Sequence, residues 1–297
     1  MLTCKHILCV TLSAFVDKTI ETENDTMSQF ELNNKIAVIT GGSGTLGTGM
    51  ARGLHNAGAR VCIIGRDVDK ARRVASSISP DPAETMGIGA DVIHTDQMER
   101  ALEAVMLRWG RVDILVNAAG GNRPDASTNP KQMFFDLNPE AMRSVFDLNL
   151  TGTIIPSQVF GRTMASQKSG VIINISSMSA SRPLTRVISY SAAKASVDNF
   201  TRWLAVHMAK EYSPSIRVNA IAPGFFLAEQ NRAMLVEAST GELTPRGHSI
   251  IDHTPMNRFG DPEDLTGTLV WLASDASRFV TGIVVPVDGG FSAFAGV

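Results

Sequence analysis

The sequence predicts an α/β fold built as a single domain, a doubly wound parallel sheet with helices on both faces. Three observations carry that expectation. From Lys35 onward, short runs rich in Val and Ile alternate with longer amphipathic stretches, the pattern of successive βαβ units. The first run passes through a glycine-rich turn, Thr40-Gly41-Gly42-Ser43-Gly44-Thr45-Leu46-Gly47, into the first amphipathic stretch. The chain has 297 residues and is 44% apolar, enough to bury one large core.

The β-rich runs place strands at 36–40, 61–64, 85–90, 114–117, 171–175, 217–221 and 283–287. Apolar residues at helical spacing place helices at 46–57, 69–77, 95–109, 139–166, 188–212 and 263–274. One stretch breaks the rhythm. Residues 225–257 are long, carry charge and Met, and end in Thr254-Pro255-Met256. A long excursion after the sixth strand predicts a lid or binding loop at the carboxyl edge of the sheet. No internal repeat or low-complexity segment interrupts the chain.

Composition narrows the function classes. A formal net charge of -2 provides no basic field for nucleic acid. Cys4 and Cys9 lie near the start and Cys62 lies inside an apolar run, so neither a disulfide framework nor a metal ligand set is visible. In residues 1–26 an apolar run from Ile7 to Val16 is too short to span a bilayer. No small-x-small cleavage site follows it. These residues read as an extension, disordered or not native, ahead of a domain over 27–297 that starts at Met27. A cytoplasmic location is expected, with no membrane partner.

The glycine-rich turn lies where backbone amides and a helix N-terminus favour a pyrophosphate. At the end of the second strand, where a carboxylate would hold the adenosine ribose, Gly65-Arg66 stands instead. A missing acid beside a guanidinium favours NADP over NAD, although Asp67 and Asp69 weaken that preference.

Tyr190 and Lys194 are four apart in Tyr190-Ser191-Ala192-Ala193-Lys194 and share one face of a helix. An ammonium beside a phenol favours the phenolate and outlines a proton shuttle. The pair gains meaning from what precedes it. Asp91-Val92 closes the third strand, Asn117-Ala118-Ala119-Gly120 the fourth and Ser176-Ser177 the fifth, with Asn149 on the long helix between the last two. Pro223-Gly224 follows the sixth. With this ordered set, the chain resembles the short-chain dehydrogenase/reductase family from about Lys35 to its end.

The resemblance implies a Rossmann-type domain with a seven-stranded sheet in the order 3-2-1-4-5-6-7 and a catalytic set of Asn149, Ser177, Tyr190 and Lys194. It implies that Tyr190 exchanges a proton with the substrate oxygen, that Ser177 hydrogen-bonds the same oxygen, that Lys194 lowers the Tyr190 pKa and that Asn149 anchors a water. Cofactor contacts are implied at Gly41, Ser43, Gly44, Thr45, Leu46, Gly47, Arg66, Asp91, Val92, Asn117, Ala118, Ala119, Tyr190, Lys194, Pro223 and Gly224. Three positions depart from the family pattern. Thr45 stands for the second glycine of the phosphate loop, Ala118 for an Asn and Ala228 for a Thr.

Gly120-Gly121-Asn122-Arg123-Pro124, Arg182-Pro183-Leu184-Thr185 and Glu229-Gln230-Asn231-Arg232 resemble a bacterial subgroup acting on the D-fructuronate/D-mannonate pair. A hexuronate needs cations or amides for its carboxylate, which makes Asn122, Arg123, Arg182, Gln230, Asn231 and Arg232 substrate candidates. Arg182 is preferred because it lies between Ser177 and Tyr190. Alternatives are a gluconate-type or 3-oxoacyl ketone, the latter served by Phe225-Phe226, and a non-catalytic dinucleotide sensor. The resemblance also implies a homotetramer.

Overall fold

The run Ile36-Ala37-Val38-Ile39-Thr40 shows no polar alternation because neither of its faces meets water. It forms β1 (Ile36–Thr40), buried at every position. Ala37 and Ile39 turn to one helical layer, and Ile36 and Val38 to the other. Strands covered on both faces read as continuous apolar runs. The computed structural model describes residues 28–296, so the extension expected over 1–26 lies outside the described residues. The remaining strands are β2 (Arg60–Gly65), β3 (Thr85–Gly89), β4 (Ile114–Asn117), β5 (Gly170–Ile175), β6 (Ile216–Pro223) and β7 (Val284–Val287). They pair in parallel in the order β3-β2-β1-β4-β5-β6-β7, as the resemblance implied.

The helices are α1 (Thr45–Asn56), α2 (Val68–Ile78), α3 (Thr95–Trp109), α4 (Pro139–Phe146), α5 (Gly152–Gln167), α6 (Ile188–His207), α7 (Glu229–Leu235), α8 (Pro245–Asp252) and α9 (Thr266–Ala273). Leu54 of α1, Ala71 of α2 and Leu272 of α9 fill one layer. Met98 of α3, Phe160 of α5 and Leu204 of α6 fill the other. Truncating a fully buried Leu54 or Phe160 to Ala would cost about 2–5 kcal/mol. Cys62 points into the second layer, and burial pushes its thiol up to about 12, which leaves it an inert core residue.

Three stretches differ from the sequence expectation. The helix expected over 139–166 is interrupted by a π turn at Asp147–Thr151. There the Asn149 side chain donates to Val145 O, four residues back, at 2.8 Å, and a side chain inserted at that carbonyl perturbs the backbone ladder. The helix expected over 188–212 likewise closes in a π turn at Met208–Tyr212.

The excursion over 225–257, expected as a lid or loop, contains α7 and α8. Leu235, Val236 and Ile250 form a small core of their own with Phe225, Leu227, Leu243 and Phe259. Thr244 caps α8 by accepting from Gly247 N at 3.0 Å. Gly260 N donates to Phe225 O at 2.9 Å, which pins the two ends of the excursion together.

Candidate active site

In the order 2-1-4, β1 lies where the chain's winding reverses, and the crevice at the carboxyl ends of β1 and β4 is the usual ligand position in such sheets. Gly41 has φ +65, and a Cβ there would lie 2.7 Å from Ala118 O and from Ala119 N. A Cβ on Gly47 would meet Gly41 O. The backbone therefore turns as tightly as glycine allows. Gly44, extended at φ -81 and ψ 169, precedes α1 with no side-chain cap. The N–H groups of Thr45, Leu46 and Gly47 in the first turn thus have no intrahelical acceptor. Unpaired amides at the positive end of a helix, reached through a turn without side chains, fit a pyrophosphate. Thr45 does not spoil the cradle, because its backbone N–H rather than its side chain belongs to that turn.

The rest of the crevice is built by packing. Ser43 Oγ occupies the space a Cβ on Gly65 would take. Arg66 is exposed at the end of β2 with no hydrogen-bond partner among the described residues. Asp67 is committed elsewhere: it caps α2 by accepting from Lys70 N at 2.9 Å, which holds its carboxyl below the usual range. Asp91 N donates to Gln97 Oε1 at 2.9 Å. Val92 lies where Gly152 leaves room, with 2.6 Å from its Cγ2 to a hypothetical Cβ. Gly224 N donates to Val287 O at 2.9 Å, so the turn after Pro223 is held by β7.

Asn117 is placed differently from the expectation. Its Nδ2 donates to Ser157 Oγ and to Asn174 Oδ1, each at 2.9 Å. This amide ties β4 to β5 and α5 inside the core. What reaches the crevice at this point is the following turn, where Ala118 N and Ala119 N donate to Thr40 O and Thr40 Oγ1.

On α6 the spacing of four continues one step beyond the expected pair, through Tyr190, Lys194 and Asp198. Lys194 Nζ donates to Ile175 O at 2.7 Å and lies 5.7 Å from the centre of the Tyr190 ring. Burial lowers its pKa to about 8, while Asp198 acts in the opposite direction. Burial raises the Asp198 carboxyl, offset by a hydrogen bond from Ser176 and by the charges of Arg202 and Lys194. Burial raises the Tyr190 hydroxyl, and the neighbouring Ser177 offsets part of that rise. Ser177 Oγ accepts from Ser179 N at 3.2 Å. The expected lowering of Tyr190 by Lys194 is therefore not what this arrangement shows. The ammonium is itself desolvated and is directed at a backbone carbonyl.

Asn149 is buried, and its amide is committed to the turn after β4. It donates to Gly121 O at 2.7 Å and accepts from Gly121 N at 3.2 Å. A Cβ on Gly120 would lie 2.8 Å from Asn149 Oδ1 and 3.1 Å from Lys194 Nζ, so both side chains converge on that glycine. Sequence reasoning passed over Asp198 and named Gly120 only as part of two motifs. Asp198 could have been found as the third residue of the helical series.

Among the substrate candidates, several polar groups are already engaged. Asn122 Nδ2 donates to Ser127 Oγ at 2.8 Å, and Arg123 forks onto Asp125 at 2.9 and 2.7 Å. Arg182 Nε donates to Ser292 O at 2.9 Å. Asn231 Nδ2 donates to Phe226 O and its Oδ1 accepts from Ala228 N, both at 2.8 Å. That amide braces the start of α7 rather than facing a ligand. The Gln230 side chain lies outside the described residues. The C-terminal turn gathers these parts. Met256 N donates to Gly289 O at 3.1 Å, the rings of Phe225 and Phe291 meet edge to face at 5.2 Å, and Asp288 accepts from Gly290 N and Ser292 N.

The phosphate cradle and the Ser177–Tyr190–Lys194 cluster at one crevice define a nicotinamide-dependent oxidoreductase. A family model described as enoyl-(acyl carrier protein) reductase matches residues 42–292, and the chain belongs to the short-chain dehydrogenase/reductase family. It is an NAD(P)-dependent enzyme of that family. UxuB of Bacillus subtilis (strain 168), an uncharacterised oxidoreductase, is 49% identical over 275 residues, covering 90% of this chain and 98% of its own. A crystal structure from Haemophilus influenzae, given provisionally as a D-mannonate oxidoreductase and holding NAD, is 39% identical. Its TM-score is 0.83, over 90% of this chain and 98% of that one. A gluconate 5-dehydrogenase from Burkholderia cenocepacia, in complex with NADP and tartrate, is 31% identical with a TM-score of 0.80, over 91% and 100%.

Proposed function

We propose that the enzyme interconverts a keto sugar acid and its hydroxy form, with D-fructuronate and D-mannonate the first pair to test. The observation that carries the reading is Tyr190 with Lys194 Nζ 5.7 Å from its ring on one helix, beside a dinucleotide cradle. Relatives that act on sugar acids support the substrate class. The nicotinamide, when bound, supplies or accepts the hydride at the substrate carbon. Tyr190, kept protonated by burial, donates a proton to the ketone oxygen, and Ser177 holds that oxygen through its hydroxyl as negative charge develops. Lys194 restores charge balance beneath the phenol. Asn149 is a positioning residue in this scheme: it fixes the Gly120-Gly121 turn against Lys194.

Arg66 supports a preference for NADP, since its guanidinium is free and the nearby Asp67 is occupied as a cap. The Phe225-Phe226 pair lends no weight to an acyl substrate, because Phe226 is buried and Phe225 packs on Phe291. The same reading includes a cytoplasmic homotetramer. No helix among the described residues is long and apolar enough to cross a membrane. The exposed Trp203 and Val206 on α6 supply an apolar stripe for a second subunit, and a monomeric solution mass would count against the tetramer. The deciding experiment is turnover on a panel of keto-uronates and aldonates with each cofactor. Turnover of D-fructuronate is expected, and no activity on any acid would overturn the reading.

A further inference from the structure

The face of α6 that carries Tyr190 and Lys194 carries a third ionisable side chain, Asp198, four residues further on. The end of β5 answers this series residue by residue. Lys194 Nζ donates to Ile175 O at 2.7 Å, and Ser176 Oγ donates to the Asp198 carboxylate. Two consecutive residues of one strand end thus hold the ammonium and the carboxylate at neighbouring positions, and the next residue is Ser177. Ser176 is itself fixed, because its N–H donates to Ile221 O of β6 at 2.8 Å.

Both side chains are buried, with Lys194 3% and Asp198 9% exposed. Neither has a counter-ion in contact among the described residues: the ammonium meets a neutral carbonyl and the carboxylate a hydroxyl. A buried charge is costly without an opposite charge near it. One helical turn separates the two, so each supplies what the other lacks. Arg202, one turn beyond Asp198, is exposed, and water screens it. The charges that act on Asp198 are those of Arg202 and Lys194. Other elements packed on α6 bring no third charge to the pair. Arg217 of β6 is spent on Val280 O and Ser274 O, Glu140 and Arg143 of α4 pair with each other at 2.5 Å, and Met178–Ala180 carries no ionisable group. Asp147 of the first π turn acts on neither member of the pair. The second π turn starts ten residues beyond Asp198, about 15 Å along the helix.

We propose that Asp198 is a positioning residue of the active site: its carboxylate, clamped by Ser176, is the counter-charge that keeps Lys194 an ammonium beside Tyr190. Asp198 touches no reacting atom and acts through Lys194, whose Nζ lies 5.7 Å from the Tyr190 ring. When Tyr190 gives up its proton to a ketone oxygen, an adjacent ammonium stabilises the phenolate left behind, and a neutral amine does not. The role is the same whichever ketone is reduced, so it goes beyond the sugar-acid reading and does not rest on it.

The test follows the Lys194 ammonium itself, by NMR across pH on the full chain labelled at lysine Cε, with the signal assigned by its loss in Lys194→Met. The wild-type midpoint is expected at about 8. Asp198→Asn keeps the shape and an acceptor for Ser176 Oγ but removes the charge, and should move the midpoint down by at least about half a unit. Asp198→Glu restores the charge and should recover part of that shift. Ser176→Ala releases the carboxylate and should give a smaller shift in the same direction. The alkaline limb of kcat for ketone reduction should move in the same order while KM for the ketone stays within about twofold, a pattern that lost packing alone would not produce. A midpoint in Asp198→Asn equal to that of the wild type would overturn the proposal, since the carboxyl would then already be neutral. Should Asp198→Asn fail to fold, Ser176→Ala decides in the same way. Absence of turnover on every sugar acid would remove the substrate reading and leave the midpoint comparison intact.

Discussion

The two sides of the proposed site present different kinds of group. On the side of β1, α1 and β4, contacts come from the backbone: glycines that admit no Cβ and amides left open by a helix start. On the other side the groups are side chains: Ser177 just after β5, and Tyr190 and Lys194 on α6. A backbone site tolerates change only where the main chain keeps its path, while a side-chain site can be re-specified by single substitutions. The contrast explains how one fold retains its cofactor while its substrates vary.

Tyr190→Phe should have the largest effect. Removing the proton donor while keeping the ring is expected to lower kcat by about 10²- to 10⁴-fold, with cofactor affinity by fluorescence titration left within about twofold. Comparable loss in both quantities would mean that the two walls are not separable.

Gly41→Ala strikes the backbone side. A Cβ at φ +65, with Ala118 O at 2.7 Å, should cost about 1–3 kcal/mol and lower Tm by several degrees. The dissociation constant for cofactor should rise at least about tenfold. A normal Tm and Kd would show that the turn can relax.

Two buried ionisable groups, one in the site and one in the core, act with opposite sign. Lys194 titrates at about 8 rather than 10.5. Between those values the unfolded chain holds a proton the folded one has lost, so stability rises with pH from about 8, by roughly 3 kcal/mol for the full shift. Cys62 is raised from 9.0 to about 12; above pH 9 the folded protein holds a proton the unfolded chain loses, and stability falls. The Tm should therefore climb between pH 8 and 9 and then level off. Lys194→Met should abolish the climb and Cys62→Ala should prolong it, both read in a Tm series across pH.

The smallest effect belongs to Arg66→Ala, which should reduce the ratio of kcat/KM for NADP to that for NAD by about tenfold. An unchanged ratio would remove Arg66 from cofactor choice.

Most of the sheet was legible because its five inner strands are buried on both faces, and their apolar runs need no context. Lys194 and Tyr190 were legible because helical spacing is local. The π turn was not: it comes with the Asn149 side chain reaching Val145 O, and the same amide also bonds Gly121, 28 residues away in sequence. Arg182 misled for a similar reason. Its closeness to Ser177 along the chain suggested a substrate contact, but its donor goes to Ser292, 110 residues on. α8 was not expected because it is short and lies in a stretch without regular rhythm, although Thr244-Pro245 is a recognisable helix start. The direction of the Tyr190 shift was not legible because spacing does not reveal burial, which raises its hydroxyl.

The C-terminal turn has a mechanical meaning. Gly289 holds Met256 and Phe291 holds Phe225 on the lid side, while Ser292 holds Arg182 on the catalytic loop. A few residues thus act as a common hinge pin for both jambs of the doorway. Displacing this turn would therefore disturb Met256, Phe225 and Arg182 together.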